Sequence, residues 1–286
     1  MVVIMGATGQ VGGVVLERLK ARGVPVRVVA RDPSRAAQLG VEVVRADASD
    51  EAGLAAAFAG AEAAFVMLVP PPGAADVLAA ARASALAIAA AVRTAHVPHV
   101  VALSSAGAHL AGGNGIVQAL HDFEAALAGA APSLAFLRPG NFMENWAAML
   151  PTVQEAGVLP SALLPLGHKS EIVSALDVGR TAAELLFDPR PGTHIVNLAG
   201  PAEYSAMDAA AVFSALLGKE VTAVPSSRDE TIAGLMAAGL GADYAAKLAD
   251  LNDAVNAGLG FPAGSEMRRG ATTLEQALRR LVETAP

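Results

Sequence analysis

Cysteine is absent from the 286 residues of this chain. Its absence excludes disulfides, thiolate nucleophiles and cysteine-ligated zinc, and it suits a reducing compartment, so we expect a cytoplasmic protein. No basic region precedes the first apolar run, as a secretory signal would require. Aromatic residues make up only 4% of the chain, with two tyrosines and one tryptophan. Chemistry that depends on a tyrosine therefore has few places to occur.

Charge is also sparse, at 16% of residues, and the formal net charge is −7. A nucleic-acid partner needs a basic face to meet phosphates, so we expect no direct contact with nucleic acid. The alanine-rich run over residues 74–95 is apolar enough to raise the question of a membrane. Asp76, Arg82 and Arg93 interrupt that run, so it predicts a buried or amphipathic helix and no membrane contact.

Short, continuous apolar runs alternate with helical patterns over the first 200 residues. Such runs are typical of parallel strands that are covered on both faces. The predicted strands cover residues 2–5, 26–30, 41–45, 63–69, 99–104, 134–138 and 194–199. The rest of the chain is mostly helical in pattern, over 205–217, 228–239, 242–257 and 272–283, with one probable strand, VTAVP. This alternation predicts an α/β fold with a doubly wound parallel sheet and a smaller C-terminal part.

A glycine-rich turn, GATGQVGG, follows the first predicted strand and opens an amphipathic helix. The G-x-x-G-x-x-G spacing lets the backbone approach a pyrophosphate while the helix N-terminus faces its negative charge. The alternative is a tight turn without a ligand. The candidate dinucleotide-binding residues here are Gly6, Ala7, Thr8, Gly9, Gln10, Val11 and Gly12.

The ends of the next strands carry further candidates for the dinucleotide. Arg31 and Arg35 favour NADP(H) over NAD(H), because an arginine accommodates the 2′-phosphate. Asp32 would suit the ribose of NAD, but it also fits as the cap of a helix that begins at Pro33. The remaining candidates are Asp47, placed to meet the adenine amino group, and Val69 and Pro70 after the fourth strand.

Several motifs together resemble the NmrA-like group of atypical short-chain dehydrogenase/reductases. They are GATGQVG, ARDPSR, ADASD, LRPGNFMENW at 137–146 and IVSALDVGRTAAELL at 172–186. The resemblance covers about residues 1–200 and is only general beyond them. It implies an NAD(P)-binding Rossmann domain over 1–200, with cleft-forming segments at 141–175, and a small, mostly helical substrate lobe over 201–286. It also makes a homodimer plausible.

Short-chain dehydrogenases use Tyr-x-x-x-Lys on a helix, and this pair is absent. Tyr204 is followed four residues on by Asp208, and Tyr244 by Leu248. HDFEAAL at 121–127 resembles the end of the motif helix. The tyrosine and lysine positions then fall at Ile116 and Leu120 or, in the next register, at Val117 and His121.

Two polar residues near this helix are candidates for catalysis. Histidine is the side chain suited to proton transfer at neutral pH, so His121 could be the acid; the alternative is a hydrogen-bonded rim histidine beside Glu124. Ser104 and Ser105 follow the fifth strand, where the family's serine hydrogen-bonds the substrate carbonyl, and Ser104 is also placed to contact the cofactor. The alternative is a pair of turn serines that satisfy local backbone groups.

The loop RPGNFMENW follows the sixth strand, at the edge where ligands bind in such sheets. Asn141 could contact the nicotinamide amide or the substrate. Phe142, Met143 and Trp146 could form an apolar wall for a flat ligand, or they could simply pack the start of a helix. We expect no metal site, since His96-x-x-His99 has no carboxylate at ligand spacing.

Two functions are consistent with these features. The first is an NADPH-dependent oxidoreductase that transfers hydride to a quinone-like or other electrophilic small acceptor without a Tyr/Lys acid pair. The alternative is a catalytically silent NAD(P)-binding redox sensor of the NmrA type, which would contact a regulatory protein partner. Fold membership does not choose between them.

Overall fold

The structure is a computed structural model that describes residues 1–284. Its strands are β1 Val2–Met5, β2 Val26–Ala30, β3 Glu42–Arg45, β4 Ala63–Met67, β5 His99–Leu103, β6 Ser133–Pro139, β7 Asn141–Phe142, β8 Val158–Ser161, β9 Ser170–Val173, β10 Gly192–Ala199, β11 Glu203–Tyr204, β12 Thr222–Pro225 and β13 Met267–Arg269. Its α-helices are α1 Gln10–Ala21, α2 Pro33–Ala36, α3 Glu51–Phe58, α4 Val77–Thr94, α5 Gln118–Leu127, α6 Leu150–Ala156, α7 Ala175–Leu186, α8 Ala206–Leu217, α9 Arg228–Ala237, α10 Ala242–Asn256 and α11 Leu274–Thr284. Its 3-10 helices cover Ala37–Leu39, Gly115–Val117 and Met143–Met149.

Eight strands form one parallel sheet in the order β3-β2-β1-β4-β5-β6-β10-β13. The strand order reverses between β1 and β4, as in the doubly wound dinucleotide-binding fold. The structure therefore confirms the predicted Rossmann-type sheet. Because all eight strands run the same way, every loop at their carboxyl ends opens on one edge.

Helices cover both faces of this sheet, which explains why its strands are apolar throughout. Helices α1 and α7 pack on one face through a buried cluster that includes Val15, Leu19 and Val178. Helices α3, α4 and α5 pack on the other face, around Phe58 and Phe123. Successive strand residues thus point into different cores, so each strand connects the two layers.

Helix α4 contains the alanine-rich run and is long and apolar enough, by length and composition alone, to cross a membrane. In this structure 50% of the span is buried, against α3, α5 and the sheet. Asp76 caps its first turn by accepting from the Ala79 amide. These contacts are those of a core helix in an α/β protein, which agrees with the sequence-based expectation of a buried helix.

The C-terminal part has a core of its own that draws on two stretches of the chain. Met143, Leu159 and Ile172 pack there with Phe213 of α8 and Leu278 of α11. The same region forms two small sheets, β11-β9-β7 and β12-β8. Strand β13, although it belongs to residues 201–286, pairs with β10 in the main sheet. The two parts are therefore joined by backbone pairing as well as by side chains.

Helix α7 lies unusually close to α1, at a glycine that sequence reasoning included only as part of a motif. A Cβ on Gly179 would lie 2.5 Å from the Val14 Cβ and 2.8 Å from the Val11 carbonyl oxygen. Only a hydrogen fits there. This contact fixes the position of α1, the helix that follows the glycine turn.

We expect Gly179→Ala to destabilise the fold by about 1–3 kcal/mol, because the added methyl group must force α1 and α7 apart. The measurement is urea unfolding followed by far-ultraviolet circular dichroism. Gly13→Ala is the matched control: its Cβ would meet only the Ala7 carbonyl oxygen at an ordinary 3.5 Å. That change should be neutral or stabilising by up to about 1 kcal/mol, since alanine favours helix more than glycine. Equal stability of the two variants would contradict the close contact.

Candidate functional site

The candidate site lies at the carboxyl edge of the main sheet, where the loops after β1 to β6 come together. The sequence-predicted cofactor residues all follow one of these strands: Gly6–Gly12 after β1, Arg31 and Arg35 after β2, Asp47 after β3, Val69 and Pro70 after β4, Ser104 after β5 and Asn141 after β6. In doubly wound sheets this edge, at the strand reversal, is the place where ligands bind. The topology therefore brings together residues that are far apart in the chain.

The glycine turn is shaped by three positions that lack side chains. Gly6 has a φ of +72°, and a Cβ there would lie 2.2 Å from the Met67 sulfur. A Cβ on Gly12 would lie 2.2 Å from the Gly6 carbonyl oxygen. Gly9 is exposed, and its amide donates to Gly6 O at 2.9 Å, which closes the turn. Residues 6 and 12 must therefore be glycine for the turn to pack. Gly9 has no side chain to cover its backbone, which is exposed to solvent.

The N-terminus of α1 has the properties of an anion site. Gly9 is its N-cap and supplies no side-chain hydrogen bond, and its first turn holds no acidic residue. The first amides of a helix need partners, and the helix dipole favours negative charge there. Thr8 and Gln10 are exposed beside them, whereas Ala7 and Val11 are buried. The residues of this turn therefore fit a pyrophosphate, as the sequence predicts.

Charged residues surround the adjoining ends of β2 and β3. Arg31 and Arg35 are exposed, and the Arg31 charge helps to lower the pKa of Asp47, after the larger effect of hydrogen bonds from Ser49. Asp32 Oδ1 accepts from the Ser34 amide at 3.0 Å and the Ser34 hydroxyl at 2.6 Å. These bonds lower the pKa of Asp32 and make it the N-cap of α2. The capping interpretation of Asp32 is thereby confirmed, and this oxygen is already occupied.

A buried cluster of three polar residues lies beneath the loop after β5. Ser104, Glu124 and Arg138 are 4%, 8% and 6% exposed. The Arg138 guanidinium donates from Nε to Glu124 Oε1 at 2.8 Å and from Nη2 to Oε2 at 2.5 Å. Ser104 Oγ donates to the same Oε1. Ser104 was expected to hydrogen-bond a substrate carbonyl, but its one proton is directed to Glu124.

His121 lies at the start of α5, half-buried, with Nδ1 2.9 Å from the Ala108 carbonyl oxygen. A carbonyl only accepts, so Nδ1 carries a proton and donates it to Ala108 O. Glu124 does not bond to His121, because it is held by Ser104 and Arg138. His121 is thus held through Nδ1, and Nε2 is the ring nitrogen through which it could pass a proton to a ligand.

The positions of the missing tyrosine and lysine are occupied by packing residues. Ile116 and Val117 are buried in the 3-10 turn before α5, and Leu120 packs against the core under α4 and α5. In the first register both positions, Ile116 and Leu120, are packed in the interior, and in the second register Val117 is. The fold therefore offers no acidic hydroxyl at this place.

The loop after β6 is tied to the start of α7. Glu144 accepts from the Ser174 hydroxyl at 2.6 Å and from the Ala175 amide at 2.9 Å. Asn141 Oδ1 accepts from its neighbour Phe142 N at 3.0 Å and from Asn145 Nδ2 at 2.5 Å. The exposed Asn141 therefore has its oxygen engaged within the loop and can offer only its amide N–H groups to a ligand.

The three large side chains of this loop do not share one environment. Met143 is fully buried in the C-terminal core, which corrects its placement in a pocket wall; its thioether fills space between α8 and β9 elements instead. Trp146 is half-buried and packs against the same core, and Phe142 packs against the core under α1 and α7. Met143 therefore agrees with the alternative given for this loop, in which large side chains pack the start of a helix. Phe142 and Trp146 each keep an exposed part at the edge.

The C-terminal segment docks on two of the loops that frame this edge. Gly241 N donates to Pro72 O at 2.8 Å, and Asp243 accepts from the Val77 amide at 2.8 Å. Leu259 packs at 3.1 Å from the position of a Cβ on Gly107. Residues 241–259 therefore contact loops at the carboxyl ends of β4 and β5, where a substrate lobe is expected.

The chain matches the sequence model of the NmrA-like family over residues 1–258. This chain belongs to the NmrA-like family. The match spans the whole dinucleotide edge and most of the C-terminal part, so the resemblance inferred from the motifs is confirmed.

Two curated relatives are reductases. Quinone oxidoreductase 2 from Escherichia coli (strain K12) is 29% identical over 262 residues, which are 87% of this chain and 86% of that protein. NAD(P)H azoreductase from Xenophilus azovorans is 27% identical over 225 residues, 77% of this chain and 75% of that protein.

Solved structures agree with this grouping. The crystal structure of the Escherichia coli NADPH-dependent quinone oxidoreductase complexed with NADPH has a TM-score of 0.82 and 27% identity, and covers 99% of this chain and 100% of that one. Citrobacter sp. triphenylmethane reductase has a TM-score of 0.81 at 22% identity, covering 99% of each chain, which shows a shared fold.

Sequence reasoning missed the ion pair at the centre of this NmrA-like site. Glu124 entered only as a neighbour of His121, and Arg138 only as the last residue of an apolar strand. The available signal was charge within two segments that otherwise pack apolar residues, Asp122 and Glu124 in HDFEAAL and Arg138 in SLAFLRP, since buried charges are rare unless paired. His109, in the same loop as Ser104, was also missed. Burial first, and then the Arg138 charge, lower the pKa of its imidazole, against an opposing effect of Glu124.

Proposed function

We propose that this protein is an NADPH-dependent oxidoreductase that transfers hydride to a flat, electrophilic small acceptor such as a quinone. When bound, the dinucleotide supplies a hydride from its nicotinamide. The N-terminus of α1 and the backbone at Gly9 would hold the pyrophosphate, and Arg31 and Arg35 would hold the 2′-phosphate. Asp32 Oδ1 caps α2 through its bonds to Ser34, so this acid has a structural role and does not by itself favour NAD.

The observation that carries the proposal is the combination of this dinucleotide edge with buried, apolar residues at the acid positions. Ile116 and Val117 cannot donate a proton, and Ser104 has committed its own to Glu124. Alcohol–ketone chemistry needs an acid at that place, because an alkoxide is strongly basic. A quinone accepts hydride readily, and the resulting anion is far less basic.

The proton balance of such a reduction is simple. The acceptor gains one hydride, with both electrons, and one proton, and the dinucleotide is oxidised. Water or the Nε2 proton of His121 would supply the proton, while the protein mainly aligns the two reactants. The relatives named as quinone and azo reductases support an acceptor of this flat, unsaturated kind.

We expect steady oxidation of NADPH, followed at 340 nm, when the protein is mixed with a panel of quinones. Turnover should need both the protein and the acceptor. Tight and redox-selective dinucleotide binding, with no turnover on any quinone or azo compound, would contradict the reductase and favour an NmrA-type sensor.

Arg31→Ala should weaken NADP binding by roughly tenfold or more, while NAD binding changes little, because a charge-assisted contact to the 2′-phosphate is lost. Isothermal titration calorimetry with each dinucleotide measures both affinities. Arg18→Ala, at an exposed position in the last turn of α1, is the control and should change neither affinity. Equal losses for NADP and NAD in Arg31→Ala would refute the assignment.

His121→Ala should slow quinone reduction at least about tenfold if His121 is the acid, since general acid catalysis typically contributes about 10²–10⁴-fold. The loss should shrink as the pH falls, when solvent protons become more available. His96→Ala is the control, since His96 is exposed and lies before β5, at the amino-terminal ends of the strands and away from the candidate site. An unchanged rate in His121→Ala would leave water as the donor and His121 as a rim histidine.

A further inference from the structure

The buried cluster of Ser104, Glu124 and Arg138 is arranged by the sheet itself. Ala102 and Phe136 point into the core beneath α4 and α5. Side chains two residues apart on a strand share a face, so Ser104 and Arg138 point the same way. Glu124, on α5, meets both of them there. Two neighbouring strands and one helix therefore hold the three groups together.

The hydrogen bonds of this cluster fix the direction of the Ser104 hydroxyl. Glu124 accepts from the Arg138 guanidinium on both of its oxygens, so it behaves as an acceptor-only carboxylate. The Ser104–Glu124 bond, at 2.5 Å between the oxygens, must then use the serine proton. A bond to a charged acceptor is stronger than one to a neutral carbonyl, so a ligand carbonyl does not compete for that proton. Only the lone pairs of Ser104 Oγ are left for a ligand.

We propose that Ser104 accepts a hydrogen bond from the carboxamide N–H of the bound nicotinamide, and that Glu124 and Arg138 are positioning residues that set this polarity. The proposal rests on the proposed function. A quinone has carbonyl oxygens and no N–H, whereas the nicotinamide carboxamide has two N–H donors. Of the two ligands of the proposed reaction, only the dinucleotide therefore matches an acceptor at the end of β5.

The Glu124–Arg138 ion pair also explains why Ser104 Oγ can act only as a hydrogen-bond acceptor toward a ligand. A buried carboxylate without a partner would be costly. Arg138 satisfies both oxygens of Glu124 with two hydrogen bonds. Glu124 in turn keeps the Ser104 proton away from the ligand. Removing either charge alone would leave the other buried and unpaired.

The test compares NADP with its acetylpyridine analogue, in which a methyl group replaces the carboxamide NH₂. Calorimetric titration of the wild-type protein should show NADP binding roughly fivefold more tightly, the effect of one hydrogen bond. Ser104→Ala should weaken NADP binding and leave analogue binding almost unchanged. The ratio of the NADP affinity to the analogue affinity should therefore fall to about one. Ser205→Ala is the matched control, because Ser205 is also 4% exposed and donates to a carboxylate, Asp208, at 2.7 Å. It should keep the wild-type ratio.

The positioning role needs a variant that folds. Glu124→Leu combined with Arg138→Met removes both charges, and apolar replacement of a buried pair is often tolerated. In this double variant the Ser104 hydroxyl is free to turn and can donate to the analogue's carbonyl. The ratio should therefore drop below about twofold while Ser104 is still present. A preserved ratio would overturn the positioning role of the pair.

The outcomes separate this inference from the proposed function. A wild-type protein that turns over quinones but binds NADP and the analogue equally would refute the Ser104 contact alone. A preserved ratio in Ser104→Ala would do the same. Discrimination that depends on Ser104, without turnover on any acceptor, would support the contact and refute the reductase. No binding of either dinucleotide would refute both.

Discussion

The close approach of α1 to the turn after β1 is the constraint on which the site depends. A side chain on Gly12 would collide with the Gly6 carbonyl, and one on Gly179 would collide with Val14 of α1. With both positions bare, α1 is held between β1 and α7, and its first amides face the carboxyl edge of the sheet. The shape of the dinucleotide edge thus depends on glycine at these two positions as much as on any polar group.

The same edge shows two different uses of charge. Around β2 and β3 the arginines are exposed and available to a phosphate, and Asp32 is engaged in capping α2. Beneath β5 and β6, Glu124 and Arg138 are buried and satisfy each other. The exposed charges would contact a ligand directly, and in its proposed role the buried pair would act through Ser104. The chain therefore lacks an ordinary acid at this place and keeps a fixed hydrogen-bond acceptor.

Much of the main sheet could be predicted because its strands are continuous apolar runs between clear turn signals. The predicted strands 2–5 and 26–30 coincide with β1 and β2, and the Asp32-Pro33 signal marks a helix start as expected. Strand β4 ends at Met67 rather than at residue 69, since periodicity does not locate the point where pairing stops. The strand β13 was missed within a segment of mostly helical pattern, because three residues carry too little pattern to be recognised.

The sequence by itself determined the dinucleotide turn, the absence of the tyrosine–lysine pair and the membership of the family, because each depends on residue types at short, fixed spacing. Only the tertiary structure decided which polar groups meet. Ser104, Glu124 and Arg138 are separated by 14 residues or more, and their contact follows from strand register and from the seating of α5. The direction of one serine proton was likewise decided in three dimensions, because it depends on a carboxylate whose partner lies on another strand.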